Sequence, residues 1–144
     1  MGGLDGIDMA LILIDSERRQ LQYSGAYRPL VMIRDNSLTK IECDHMPIGK
    51  YNKNTPFTNH VIELEKGDCF FAYSDGITDQ FDNSNEQKFG RKKLYGLLLD
   101  NYQKPFTEQF DIYKNAFESW RMDGPRETPT EQTDDVVLVG IKIE

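Results

Sequence analysis

Residues 64–81, LEKGDCFFAYSDGITDQF, contain a turn, an apolar strand and an acidic motif in immediate succession. The polar residues 65–68 predict a tight turn, and residues 69–75 predict a strongly apolar strand. Asp75 stands at the carboxyl end of that strand and is followed by Gly76. A strand end holds a carboxylate rigidly, and a glycine lets backbone or solvent approach closely. Asp75 is therefore a candidate functional residue.

The sequence before this segment is dominated by strand and turn patterns. The continuous apolar run MALILI, residues 9–14, predicts a strand that is buried on both faces. Further strands are predicted in residues 21–33, which contain one or two of them, and in residues 38–43 and 57–64. Turn residues separate these segments, so we expect a meander of antiparallel hairpins.

The sequence after residue 88 changes to helical spacing. Leucines recur at helical intervals in residues 89–102, and Pro105 is predicted as the first residue of a second helix. Five aromatic residues then follow at steps of four and three: Phe106, Phe110, Tyr113, Phe117 and Trp120. We expect this single stripe to dock on the sheet. Residues 136–143, VVLVGIKI, predict a buried closing strand.

Strands grouped early and helices grouped late indicate an α+β fold, with helices packed on antiparallel sheets. The length of 144 residues corresponds to one domain or part of one. The 17 Lys and Arg against 24 Asp and Glu give a net charge of −7, which disfavours nucleic acid and anionic membrane surfaces as partners. No apolar run approaches the roughly 20 residues of a membrane helix, so no insertion into a membrane is expected.

The cysteine content favours a reducing compartment. Cys43 and Cys69 are the two cysteines of the chain, and its start lacks the pattern of a signal peptide. Two thiols in a domain of this size do not make a disulfide framework. We therefore expect a cytoplasmic domain.

A second acidic motif, Thr133-Asp134-Asp135-Val136, precedes the last predicted strand. Adjacent strand residues point to opposite faces, so one carboxylate of the pair is expected to face a site and the other water. Carboxylates at neighbouring strand ends suit Mg²⁺ or Mn²⁺, which prefer oxygen ligands. Asp-Gly is also a common turn dipeptide, and Asp pairs cap loops. From spacing alone, both interpretations stay open.

The motifs as an ordered set carry a family resemblance. In order they are DGIDMALILID, LQYSGAYRPLVMIR, MPIG, LEKGDCFFAYSDGITDQF, FGRKKL and EQTDDVVLVGIKI. The set resembles the SpoIIE-like branch of the metal-dependent (PPM) serine/threonine protein phosphatases, and most of all the output domains of RsbU-related bacterial regulators. It extends from about Asp5 to Lys142. The resemblance implies a PPM-type α-β-β-α sandwich, in which two antiparallel sheets lie between helical layers.

The resemblance also implies roles for four residues. Asp75 and Asp134 match metal-binding aspartates, Gly76 allows close approach to the metal, and Asp135 is a supporting residue. The complete family domain holds two Mn²⁺ or Mg²⁺ ions. The family's earlier Gly-Asp and Asp-x-x-Gly-(His/Asn)-Gly segments do not occur in this sequence. Residues 1–144 are therefore expected to be the C-terminal portion of a single phosphatase domain that lacks its N-terminal part, with weak or no metal binding alone.

The implied reaction is hydrolysis of phosphoserine or phosphothreonine on a regulatory protein, such as an anti-sigma-factor antagonist, by a metal-activated water. The parent protein would carry it out, whereas the isolated chain is expected to be inactive. The parent can be membrane-anchored through an upstream sensor region. Exposed sheet edges and apolar faces would also make the chain prone to form a homodimer.

Two alternatives remain. The first is a non-catalytic, phosphatase-like binding module in a signalling protein. The second is an unrelated carboxylate metalloenzyme, such as a phosphotransferase with an aspartate nucleophile, which would need an early Asp-x-Asp motif in a parallel sheet.

Overall fold

The computed structural model describes residues 5–52 and 55–144, which form a mixed α+β fold. The strands are β1 (Gly6–Ile7), β2 (Met9–Asp15), β3 (Gln20–Ala26), β4 (Leu30–Arg34), β5 (Ser37–Ile41), β6 (Ile48–Gly49), β7 (His60–Glu63), β8 (Cys69–Tyr73) and β9 (Leu138–Lys142). The helices are α1 (Asp75–Thr78), α2 (Gly90–Asn101) and α3 (Phe106–Met122). Among the described residues, no helix is both long and apolar enough to cross a membrane.

The chain divides into two compact units. The first comprises residues up to 72 together with residues 140–144, and the second comprises residues 73–139. Strands β1–β7 lie in the first unit and all three helices lie in the second. The chain passes from one unit to the other within β8 and within β9.

The strands form three sheets with the orders β1-β6, β2-β3-β7 and β5-β4-β8-β9. Antiparallel registers join β2 to β3, β3 to β7, β4 to β5 and β4 to β8. The predicted antiparallel hairpins are therefore confirmed, and so is the α+β fold class.

The core of the first unit lies on the inner face of the β2-β3-β7 sheet. Leu21, Tyr23, Leu30 and Phe70 are fully buried there. The Tyr23 hydroxyl donates a hydrogen bond to the Arg28 carbonyl. The Tyr23 hydroxyl also lies close to Gly25, and a side chain at residue 25 would collide with the phenol ring of Tyr23. A close approach is thus what the glycine inside this strand permits.

Strand β2 is at most half-buried, and on one face only, so the prediction of burial on both faces was wrong. Ala10 and Ile12 pack against the core cluster, but the side chains between them point the other way. Leu11 is 60% exposed and Leu13 is 59% exposed. Six consecutive apolar residues carry no alternation, so the sequence pattern gave no sign of which face was open.

Helix α3 follows the predicted aromatic stripe only in its C-terminal part. Tyr113, Phe117 and Trp120 are buried, whereas Phe106 and Phe110 are exposed. The single stripe is therefore wrong for its first two members, and Pro105 precedes the helix as its N-cap instead of starting it.

A glutamine takes the inward position near the start of α3. The Gln109 amide donates to the carbonyls of Tyr102 and Lys104, and its oxygen accepts the Tyr113 hydroxyl at 3.0 Å. Spacing of apolar residues cannot indicate a buried polar anchor of this kind.

Strand β9 also differs from expectation. A buried strand was predicted, but Val139 on β9 is 48% exposed.

A partly buried ion pair fixes the turn that precedes β8. Arg34 donates two hydrogen bonds to the Asp68 carboxylate, at 2.8 and 2.7 Å. The Asp68 side chain is 1% exposed, and its carboxylate also accepts the Glu65 amide. Burial by itself raises the pKa of Asp68, but the hydrogen bonds from Arg34 and Glu65 and the positive charge of Arg34 outweigh it and hold the pKa below its ordinary value.

We predict that Asp68→Ala lowers the free energy of unfolding by about 3 kcal/mol, because it leaves the Arg34 guanidinium without its buried partner. Urea unfolding measures the change. Glu65→Ala is the matched control. The Glu65 carboxylate lies 2.9 Å from the same guanidinium, but the Glu65 side chain is 60% exposed. Its removal should therefore change the free energy of unfolding by no more than about 0.5 kcal/mol.

The effect of Asp68 should depend on pH in one direction. Because the folded-state pKa is depressed, the stabilisation is fully present above the ordinary value of 3.8 and is lost as the pH falls through the folded-state value. The stability difference between wild type and Asp68→Ala should therefore stay constant near neutrality and shrink only in strong acid. A difference that shrinks near pH 7 would contradict this account.

Candidate metal-binding site

Asp75 is the first residue of α1, two residues beyond the end of β8. The intervening Ser74 is extended, with φ −82° and ψ 159°. The Asp75 carbonyl accepts the amide of Asp79 at 2.8 Å and the hydroxyl of Thr78 at 3.3 Å. Its side chain is half-buried. The predicted position at a strand end is confirmed to within two residues, because β8 ends at Tyr73. The turn of helix fixes the backbone that carries the carboxylate.

Ser74 ties this segment to the residues that follow the second acidic motif. Its amide donates to the Val137 carbonyl at 2.9 Å. Its hydroxyl donates to the Asp135 carbonyl and accepts the Val137 amide, both at 2.9 Å. These three hydrogen bonds, which we call the Ser74 clasp, hold the strand exit against residues 135–137.

Gly76 lies directly on the backbone of the acidic pair. A Cβ atom at this position would lie 2.9 Å from the Asp135 carbonyl carbon and 3.3 Å from the Asp134 carbonyl oxygen, and it would overlap the Asp135 carbonyl oxygen. Only a residue without a side chain permits this approach. The structure therefore brings the two acidic motifs of the sequence together.

Asp134 and Asp135 are both exposed. One oxygen of the Asp134 carboxylate accepts the Asp135 amide at 2.8 Å. The strand alternation from which one carboxylate was expected to face a site and the other water is absent here. Strand β9 begins only at Leu138, so the alternation of a strand does not apply to residues 134 and 135.

The loop that leads to Asp134 is held by side chains from residues 80–83, which the sequence patterns did not single out. The Gln80 amide donates to the Glu131 carbonyl at 3.1 Å. The fully buried Asn83 bonds to the Thr128 carbonyl and to the Arg126 amide. A polar loop without secondary structure needs hydrogen-bond partners for its backbone. This requirement was the one indication in the sequence that polar side chains elsewhere would bind the loop.

Asp82 organises the turn between α1 and α2. Its carboxylate accepts the Ser84 hydroxyl at 2.9 and 2.8 Å and the Glu86 amide at 3.0 Å. Burial raises the pKa of Asp82, but these bonds, together with those of Gln87 and Asn85, leave it lowered. Its carbonyl also accepts the Thr130 hydroxyl at 2.6 Å. Asp82 thus belongs to the support of the loop.

The donor set suits a hard divalent cation in type but falls short in number. Asp75 and Asp134 offer carboxylate oxygens, the ligands that Mg²⁺ and Mn²⁺ prefer. Within residues 5–52 and 55–144, no group of three or more His, Cys, Asp or Glu residues is placed to hold a metal ion. The histidines lie in the first unit, where His60 stacks on Tyr23 and His45 on Tyr27. The two aspartates would therefore supply part of a metal shell.

A family model described as Stage II sporulation protein E (SpoIIE) matches residues 4–144. The chain belongs to the SpoIIE family. This confirms the family that the ordered motifs resemble, and with it the general assignment to the PPM-type phosphatase domains. No protein of curated function matches the sequence.

Solved domains of PP2C-type phosphatases share the fold of this SpoIIE-family chain. The SiaA-PP2C domain of Pseudomonas aeruginosa has a TM-score of 0.81 and 23% identity, with 95% of this chain and 52% of that chain covered. The phosphatase domain of the cell fate determinant SpoIIE from Bacillus subtilis has a TM-score of 0.65 and 16% identity, with 95% and 58% covered. The Mycobacterium tuberculosis serine/threonine phosphatase PstP/Ppp has a TM-score of 0.60 and 16% identity, with 96% and 60% covered. The chain thus spans between half and three-fifths of these solved chains.

We predict that Gly76→Ala lowers the free energy of unfolding by about 2 kcal/mol, because the new methyl group must displace the backbone of Asp134 and Asp135. Gly96→Ala is the matched control, since Gly96 lies inside α2 and a Cβ atom there would meet nothing within 4 Å. It should stabilise the protein by up to about 1 kcal/mol through helix propensity. Urea unfolding of the three proteins compares them, and equal effects of the two substitutions would argue against the Gly76 contact.

Proposed function

We propose that this chain contributes part of the active site of a metal-dependent protein serine/threonine phosphatase, in which Asp75 and Asp134 are metal ligands. The observation that carries the proposal is the seating of Gly76 on the Asp134–Asp135 backbone. This contact supports the proposal because Asp75 directly precedes Gly76, and Asp134 belongs to the backbone that Gly76 contacts. Membership of the SpoIIE family supports the reaction class.

The metal ions, Mn²⁺ or Mg²⁺, would activate a water molecule and neutralise charge on the phosphoryl group. The residues of this chain would hold and orient them. Asp75 is fixed by the start of α1, and Asp134 is oriented by the hydrogen bond from the Asp135 amide to its carboxylate. Asp135 would act in support, because its carbonyl and amide bond to Ser74 and Asp134 while its own carboxylate is exposed.

The proposed substrate is a phosphorylated regulatory protein, such as an anti-sigma-factor antagonist. Support comes from the resemblance to RsbU-related regulators. A solved structure described as the RsbU and RsbW domains of a Mycobacterium tuberculosis protein shares this fold over 36% of its chain, with 94% of this chain covered, a TM-score of 0.65 and 19% identity. The proposed location is the cytoplasm, with which the lack of a disulfide between Cys43 and Cys69 agrees.

We further propose that residues 1–144 need the rest of a phosphatase domain for turnover. Two observations support this: the described residues bring together no more than two of the acidic residues that resemble ligands, and the chain covers 52% of the SiaA-PP2C domain. The isolated chain should therefore bind Mn²⁺ weakly or not at all and should not hydrolyse p-nitrophenyl phosphate. Tight binding with turnover in titration calorimetry and a parallel hydrolysis assay would contradict this.

A non-catalytic binding module is the second candidate, favoured by the same small number of acidic residues. The phosphotransferase alternative loses support, because the early strands pair antiparallel where that enzyme class needs a parallel sheet. Catalysis by the natural full-length protein separates the two remaining candidates. A binding module would recognise its partner without releasing phosphate.

We predict that Asp75→Asn and Asp134→Asn in the natural full-length protein each weaken Mn²⁺ binding by more than about 100-fold and abolish phosphate release. Loss of a direct ligand should exceed the 10–100-fold loss that is typical of supporting residues. Asp135→Asn should leave Mn²⁺ binding close to that of the wild type, because Asp135 supports the site through its backbone carbonyl and amide. Titration calorimetry gives the affinities.

The control for these substitutions is Asp79→Asn. Asp79 belongs to the same motif, but its side chain is 56% exposed and pairs with Lys88 at 3.1 Å. Its substitution should leave Mn²⁺ affinity unchanged. Unchanged affinity in Asp75→Asn would remove Asp75 from the ligand set, whereas intact metal binding without phosphate release by the wild-type protein would favour the binding module.

A further inference from the structure

An open groove lies between α2 and α3, within the second unit, and has a volume of about 770 Å³. We call it the helix groove. The side chains that line it include Phe89, Lys93 and Leu97 from the start and middle of α2, and Ala116, Trp120 and Met122 from α3. Phe89 and Trp120 are buried, whereas Met122 is 47% exposed. The aromatic pair therefore forms the bottom of the helix groove, and Met122 lies at its rim.

Hydrogen bonds fix the bottom of the helix groove. The rings of Phe89 and Trp120 meet edge to face, with their centroids 5.9 Å apart. The indole N–H of Trp120 donates to the Gln80 carbonyl at 3.0 Å, and the Phe89 amide donates to the same carbonyl at 2.8 Å. Binding sites for small apolar groups are usually formed before the ligand arrives, and this groove meets that condition.

Lys93 brings a positive charge to the apolar bottom of the groove. Its ammonium lies 4.0 Å from the centroid of the Trp120 ring and 5.8 Å from that of the Phe89 ring. A cation over an aromatic face is attracted by the electrons of the ring. The groove therefore offers apolar surface and positive charge side by side.

Lys93 belongs to a basic cluster, which we define by Lys88, Arg91, Lys92 and Lys93. The last three lie in the first turn of α2, where side chains lean toward the start of the helix. Cations there face the positive end of the helix dipole and weaken the helix, and no acidic residue accompanies them in that turn. The stability of α2 thus does not explain the basic cluster.

The basic cluster is only partly neutralised by acidic residues. Lys88 pairs with Asp79 at 3.1 Å. Within residues 5–52 and 55–144, no ion pair involves Arg91, Lys92 or Lys93. Three cations at the start of α2 are therefore available to a partner.

The acidic residues of the helix groove do not cancel this charge. Glu118 and Asp123 line the groove, but Glu118 is paired with Arg121 at 2.9 Å. Asp123 is left against the three cations of α2. In a protein with a net charge of −7, this end of the groove carries a local excess of positive charge.

We propose that the helix groove and the basic cluster form a docking site for an acidic segment of a partner protein that carries one large apolar side chain. The apolar side chain would enter the groove above Phe89 and Trp120, and its acidic neighbours would pair with the basic cluster. Charge complementarity selects this partner and its position, because the acidic remainder of the protein repels the same segment elsewhere.

This inference goes beyond the proposed function and does not depend on it, because neither Asp75 nor Asp134 lines the helix groove. The groove is also not one of the sheet faces on which the layers of the fold stack. It lies between two helices, and its bottom is already packed.

The test uses the intact chain and a peptide in which one leucine is flanked on both sides by glutamates. Trp120 is the only tryptophan of the sequence, so its fluorescence reports on the helix groove, and titration calorimetry measures the affinity independently. The peptide should bind saturably, change the Trp120 fluorescence, and bind several-fold more weakly as the ionic strength rises from low to physiological. A peptide with serine in place of the leucine should bind more weakly.

Arg91→Glu combined with Lys92→Glu should weaken peptide binding at least about tenfold, because two attractive charges become repulsive. Neither residue lines the helix groove, and acidic residues in the first turn favour a helix, so the stability of this variant should not fall. Lys104→Glu combined with Lys114→Glu is the matched control. Both lysines are exposed and lie outside the groove, and the control has the same net charge as the first variant. It should bind the peptide as the wild type does.

Several outcomes would overturn the proposal. No saturable binding at low ionic strength by either method would do so, and so would equal weakening in the control variant. Equal binding of the serine peptide would remove the helix groove from the site. Tighter binding of an oligothymidylate than of the acidic peptide would assign the basic cluster to nucleic acid instead.

Discussion

The Ser74 clasp determines where the two acidic motifs meet. Ser74 and Asp135 are 61 residues apart in the sequence, and the serine hydroxyl uses both its donor and its acceptor capacity on the backbone of the second segment. With these bonds in place there is no room for a side chain two residues after Ser74, and the residue at that position is Gly76. The identity of Gly76 is thus a consequence of the clasp, as is the neighbourhood of Asp75 and Asp134.

A second group of contacts supports the same arrangement from further away. Gln80 and Asn83 bond to backbone groups of the 123–133 loop, and Asp82 accepts the hydroxyl of Thr130 through its carbonyl. These residues come from the segment directly after α1. The segment that follows Asp75 is therefore hydrogen-bonded to the loop that precedes Asp134. A side chain as polar as Asn83 is buried without penalty because its amide is satisfied.

The sequence predicted the parts of the fold that depend on local chemistry. The turn at residues 65–68 and the strand after it follow from a glycine between polar residues and an apolar run, and the structure contains both. The position of Asp75 at the strand end was predicted to within two residues for the same reason.

What the sequence could not show depends on long-range packing. In β2 both sets of alternating side chains are apolar, so composition could not distinguish the inner from the outer face. In α3 the inward place of Gln109 depends on carbonyls of the preceding turn, which no periodicity records. The contact of Gly76 with the Asp134–Asp135 backbone is equally invisible to spacing. The family resemblance implied only that Gly76 lets a metal approach and that Asp75 and Asp134 share a metal site.

The Ser74 clasp has a consequence for how such a protein can change over evolutionary time. Ser74 and Val137 lie near the two ends of the second unit, residues 73–139, and their backbones are hydrogen-bonded to each other. A segment whose entry and exit adjoin behaves as an insertion between two strands. Closing a longer loop costs only slightly more entropy than closing a shorter one. The helical part between the ends can therefore lengthen, shorten or be remodelled in different lineages while the acidic residues at its two ends keep their place.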